Sequence, residues 1–172
     1  MIFTATADGF LDTGAKRARS ALGKGGVKPA ADKREGDGAS PLGVWPIRRV
    51  LYRPDRGSQP KTAFPVTPIA PDDGWSDAPD DEAYNRPVKL PHAHSAEAMW
   101  RDDEVYDLVV VLGHNDDPPV PGMGSCIFLH LARPDYGATE GCVAVSRADL
   151  ETLLAAAQPG DAVEIREAAL RT

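Results

Sequence analysis

No stretch of the sequence approaches the roughly 20 consecutive apolar residues of a membrane-spanning helix, so no membrane span is expected. Positive charge is in short supply: 19 Lys and Arg stand against 26 Asp and Glu, a formal net charge of −7. Phosphate binding rests on clustered Lys and Arg, and nucleic acid is therefore not an expected partner. The start, Met1 to Asp8, lacks the basic residues and long apolar run of a signal peptide. Cysteine is scarce, with only Cys126 and Cys142, which leaves room for one disulfide at most. These cysteines and the four histidines follow no standard zinc spacing, so no metal site is expected. No internal repeat is visible.

What is present points to one domain. A chain of 172 residues with 42% hydrophobic content can bury a core. Glycine and proline, 16 of each, favour short strands and turns over long helices. Residues 1–30 read as two or three weak strands, with turns at Gly14 and at Gly23 to Gly26. Asp32 to Gly43 reads as a polar loop, and Val44 to Tyr52 as a half-buried strand. Residues 53–95 are rich in Pro, Asp and Gly and carry little periodicity. Such long loops serve as binding loops or lids, or are disordered. The large residues Trp75, Tyr84, Asn85 and Arg86 speak against disorder.

The second half is more legible. Val105 to Leu112 reads as a strand buried on both faces, and a second strand follows over Cys126 to Leu131. A small-residue turn, Gly137 to Gly141, leads into the short strand Cys142 to Val145. Ser146 caps a helix with Asp149 in its first turn, and Leu150, Leu153 and Leu154 form its apolar face. Pro159-Gly160 stops that helix, and Asp161 to Arg166 reads as a last strand. The expected fold is mainly β with one clear helix.

Chemistry concentrates around Gly141-Cys142. The glycine allows a ligand close to the main chain, and nearby amides can form an oxyanion hole. His130, upstream, is placed to accept the thiol proton and so activate the sulfur. A Cys/His pair alone is weak evidence, and Cys142 also reads as a buried small hydrophobe. His114, in Gly113-His114-Asn115, reads either as a second active-site histidine or as a surface residue at a strand end.

The ordered block over residues 127–165 adds to this. A strand carrying His130, then Thr139-Glu140-Gly141-Cys142, a short strand, a helix and a final strand resemble the signature of L,D-transpeptidases (YkuD-like). Ala39-Ser40-Pro41-Leu42-Gly43 is similar to that family's Thr-Pro-x-Gly element. The resemblance implies a mixed β-sheet sandwich or barrel, a single catalytic domain over 1–172, and no metal or organic cofactor. It implies Cys142 as acyl-accepting nucleophile, His130 as base and Gly141 as part of the oxyanion site. Peptidoglycan stem peptides would be the partners, in the periplasm or cell envelope, with 3→3 cross-links as the product. Hydrolysis by an L,D-carboxypeptidase and a non-catalytic peptide-binding module are the alternatives, and oligomeric state stays open.

Three departures mark a divergent branch. Glu140 stands where a histidine is usual, Ala144 where Arg or Asn is common, and the loop from His130 to Cys142 is short. Glu140 reads as a solvated turn residue or as a carboxylate orienting His130. Asn85 and Arg86, in the loop region, are candidates for binding the substrate backbone or a carboxylate.

Two expectations follow for the cysteines. Cys126 lies four residues before His130, roughly 13 Å along a strand. If His130 meets Cys142, then Cys126 should be too far away for a disulfide, which needs Cα atoms within about 7 Å. A catalytic Cys142 should also alkylate near neutral pH faster than Cys126.

Overall fold

The structure, a computed structural model, describes residues 1–169. The glycine-punctuated start forms four short strands rather than two or three: β1 (Ile2–Thr6), β2 (Phe10–Asp12), β3 (Arg17–Ala21) and β4 (Val27–Pro29). Ser40–Tyr52 is one long strand, β5, so the expected polar loop ends at Ala39 and not at Gly43.

The Pro/Asp-rich stretch is not all loop. It contains β6 (Val66–Pro68), β7 (Asp73–Ser76) and β8 (Pro87–Lys89), and β9 (Ala96–Ala98) follows. β7 lies between β8 and β9 in a separate antiparallel sheet. Strands of three or four residues leave no period to read, which is why the sequence showed only turns.

β10 (Leu108–Leu112), β11 (Phe128–Leu131) and β12 (Val143–Val145) fall where the apolar runs predict them, each slightly trimmed. Helix α1 (Arg147–Ala156) starts at Ser146, whose side chain accepts a hydrogen bond from the Asp149 amide. β13 (Ala162–Arg166) closes the chain order.

The main sheet has ten strands, ordered β10-β11-β12-β3-β2-β1-β13-β5-β4 with β6 beside β5. β5 is long enough to pair with β13 through its first half and with β10 through its second. That second pairing closes the sheet into a barrel. Phe3, Leu11, Val50, Leu129 and Val163 fill it together with Leu150, Leu153 and Leu154 of α1.

β10 is buried on both faces because it serves two cores. Leu108, Val110 and Leu112 point into the barrel, while Val109 and Val111 join Trp75, Met99 and Phe128 in a second cluster beneath the small sheet. Trp75 of β7 meets Phe128 of β11 edge-on, with ring centroids 5.0 Å apart. The small sheet is thereby fixed over the outer face of β10 and β11. Among the described residues, no helix is long and apolar enough to cross a membrane.

Candidate active site

β11 and β12 run parallel, with Leu129 opposite Val143 and His130 opposite Ala144. One residue back along both strands, Cys142 falls level with Phe128. Side chains two positions apart share a face of a sheet, so Cys142 and His130 project on the same side. Both line a cavity of about 350 Å³, with Glu97, Tyr106, Cys126 and Arg133 also in its wall.

The loop that carries the sulfur is tied down at each residue. The Thr139 hydroxyl donates to the Cys142 carbonyl at 2.7 Å and accepts from the Gly141 amide at 3.1 Å. Ser40, from the Ser-Pro-Leu-Gly segment, donates to the Gly141 carbonyl at 2.7 Å and accepts from the Gly23 amide at 2.9 Å. Gly141 has φ +133°, and a β-carbon there would meet the Ala39 carbonyl oxygen at 2.8 Å. Only glycine fits that turn without strain.

Cys142 is 6% exposed. Its thiol donates to the Cys126 carbonyl at 3.0 Å, and its sulfur accepts from the Phe128 amide at 3.4 Å. Burial pushes the thiol up to about 12, with the charge of Glu97 adding to the shift. His130 shares a hydrogen bond between Nδ1 and the Leu131 carbonyl at 2.9 Å. A carbonyl can only accept, so Nδ1 carries the proton and Nε2 is left as the acceptor. Burial pulls this imidazole down to about 4. The pair is therefore neutral thiol and neutral imidazole.

The expectation that Cys126 lies far from Cys142 is corrected. Cys126 has φ +56°, which bends the chain before β11 and turns the Cys126 carbonyl onto the sulfur. A straight strand through Cys126 would hold the two cysteines apart, but β11 begins only at Phe128. Both cysteines are free. Burial pushes both thiols up.

Other expected residues are distributed differently. Glu140 lines the cavity mouth, exposed, with its carboxylate 2.8 Å from Lys24 Nζ. It is the solvated turn residue of the two readings, since Leu131 and not Glu140 holds His130. His114 is buried against Trp45, with ring centroids 4.7 Å apart, and lies outside the cavity wall. Burial pulls it down to about 4.

Asn85 is also buried and outside that wall. Its oxygen accepts from Trp75 Nε1 at 2.9 Å and the Cys126 amide at 3.1 Å. Its nitrogen donates to the carbonyls of Asn115 at 2.7 Å and His114 at 3.2 Å. The residue is a clamp between the small sheet and the chain before β11. Arg86 is exposed and borders a different depression, beside Arg48 and Trp75.

Two cavity residues had no signal in the sequence. Tyr106 sits edge-on to His130 with centroids 5.3 Å apart, and its hydroxyl donates to Glu97. Glu97 reaches in from β9, the strand hidden in the irregular region. A strand outside the main sheet has no local mark that would aim its carboxylate at a distant cysteine.

Among the described residues, no three His, Cys, Asp or Glu side chains gather into a metal-holding set. Comparison with curated proteins and with solved structures finds no match. A family model of the L,D-transpeptidase catalytic domain (YkuD) matches residues 9–165, which takes in the barrel apart from β1 and the last residue of β13, the small sheet, His130 and Cys142. By that match over nearly its whole length, the chain belongs to the YkuD family of L,D-transpeptidase catalytic domains.

Proposed function

We propose that this protein is a cysteine-dependent L,D-transpeptidase acting on peptidoglycan stem peptides through an acyl-enzyme on Cys142. The observation that carries the reading is one cavity holding both the Cys142 sulfur and a His130 imidazole whose Nε2 is left as a proton acceptor. As the sulfur attacks the carbonyl of the third stem residue, a diamino acid, its proton passes to His130 Nε2. The tetrahedral oxyanion is held by main-chain amides at the Gly141-Cys142 turn, where Gly141 already donates to Thr139 and Cys142 is the better placed donor. His130 then protonates the departing amine of the terminal D-amino acid as the carbon–nitrogen bond breaks. An amine from a second stem attacks the thioester, forms the 3→3 amide and restores the thiol. Water as acceptor makes the same site an L,D-carboxypeptidase. Such a substrate places the protein at the cell envelope.

The test is incubation with a disaccharide tetrapeptide, followed by mass spectrometry of the products. Cross-linked dimer lacking one terminal D-amino acid supports the transpeptidase. Tripeptide alone identifies the carboxypeptidase. Unchanged peptide that still binds the protein with measurable affinity would point to a non-catalytic binding module.

A further inference from the structure

The small sheet does more than cover the nucleophile. Glu97 is the one β9 residue in the wall of the catalytic cavity, which it shares with Cys142 and His130. Its side chain is 30% exposed, so a bound molecule can reach it. The Tyr106 hydroxyl donates to one carboxylate oxygen and Arg101 Nη1 stands 4.0 Å from the same oxygen, which fixes the group without covering it. Tyr106 also packs edge-on to His130, so carboxylate and imidazole are both held against one aromatic side chain.

The reaction has a proton that His130 alone does not manage well. A stem-peptide amine arrives at neutral pH as an ammonium, which has no lone pair for the thioester. His130 has just given its proton to the departing amine, and burial holds the imidazole far below the amine in basicity. We propose that Glu97 is a catalytic residue of the transfer half-reaction: its carboxylate binds the acceptor ammonium and takes its proton. The Glu97 carboxylate becomes a carboxylic acid, and the neutral amine nitrogen attacks the thioester carbonyl. The carbon–sulfur bond then breaks, and the second amine proton passes through His130 to the Cys142 sulfur. Glu97 returns its proton to solvent.

The groups facing the carboxyl are Tyr106, Arg101, Cys126 and Asp77. Burial raises it above an ordinary glutamate and Asp77 adds to that, while Tyr106, Cys126 and Arg101 pull it back, and the net rise strengthens it as a base. The inference rests on the acyl-enzyme reading of Cys142 and adds a residue to it.

The experiment isolates the acyl-enzyme from a tetrapeptide donor and follows its aminolysis by glycinamide in wild type and Glu97→Gln. The glutamine keeps an acceptor for Tyr106, and thermal unfolding of both proteins checks that the fold is retained. The expected result is aminolysis at pH 7 slowed at least tenfold with acylation not slowed, since removing the Glu97 charge also brings the Cys142 thiol down. Raising the pH above 9, where glycinamide is already neutral, should restore the variant, and a purely structural role would not respond so. Acylation and aminolysis falling together, or aminolysis indifferent to the change, would overturn the assignment alone. A wild type that forms no acyl-enzyme would overturn the transferase reading and the assignment with it.

Discussion

His130 is held neutral by its burial, and that has a consequence for stability. Its folded value is about 4 against about 6.5 for a free histidine. Between those values the unfolded chain binds the extra proton and the folded one does not. Stability is therefore fully present above pH ~6.5 and is lost as pH falls toward 4, by about 3 kcal/mol for such a shift. His114 adds a loss of the same sign over the same window. Glu97, raised by burial, opposes them, since its neutral form suits the fold. Thermal unfolding from pH 7 to pH 4.5 should show a falling midpoint, with a shallower slope in His130→Gln. An unchanged slope in that variant would mean that His130 titrates normally. Ser40 offers a second test at this scale. Ser40→Ala leaves the Gly141 carbonyl and the Gly23 amide unpaired in a buried place and should cost about 1–3 kcal/mol in urea unfolding. Sequence alone pairs Cys142 with His130 through the order of the motif. It cannot show that a left-handed Cys126 turns its carbonyl onto that sulfur, because φ leaves no trace in a cysteine.

At the scale of elements, the small sheet is joined to the barrel by Asn85 and by the Trp75–Phe128 contact. Asn85→Ala removes four hydrogen bonds and leaves the Trp75 ring nitrogen and the Cys126 amide without partners. A loss on the order of 3 kcal/mol is expected. Hydrogen exchange should show where it falls: amides of β7 and β9 lose protection while those of α1 keep theirs. Uniform loss across both would mean that the sheet and barrel unfold as one unit. α1 was legible because its cap, its Leu150/Leu153/Leu154 face and its Pro-Gly stop are local features. Asn85 was legible only as an unusual polar residue. A binding role and a clamp differ by what its amide touches, and those partners lie up to 41 positions away.

For the whole molecule, the mainly β character follows from composition and from the buried runs that became β10, β11 and β12. Closure of the barrel does not. It depends on β5 meeting β10, with Val50 opposite Val110, across a stretch of chain that also builds the small sheet. β11 and β12 lie side by side in the same sheet and bring His130 and Cys142 to the cavity wall, so barrel and site are one construction. The proposed function stands on Cys142 acting in that cavity as an acyl-accepting nucleophile. Intact-mass spectrometry after incubation with a carbapenem, on wild type, Cys142→Ala and Cys126→Ala, tests it most directly. A single covalent adduct is expected on wild type and Cys126→Ala and none on Cys142→Ala. An adduct that survives in Cys142→Ala, or that vanishes only with Cys126, would contradict it.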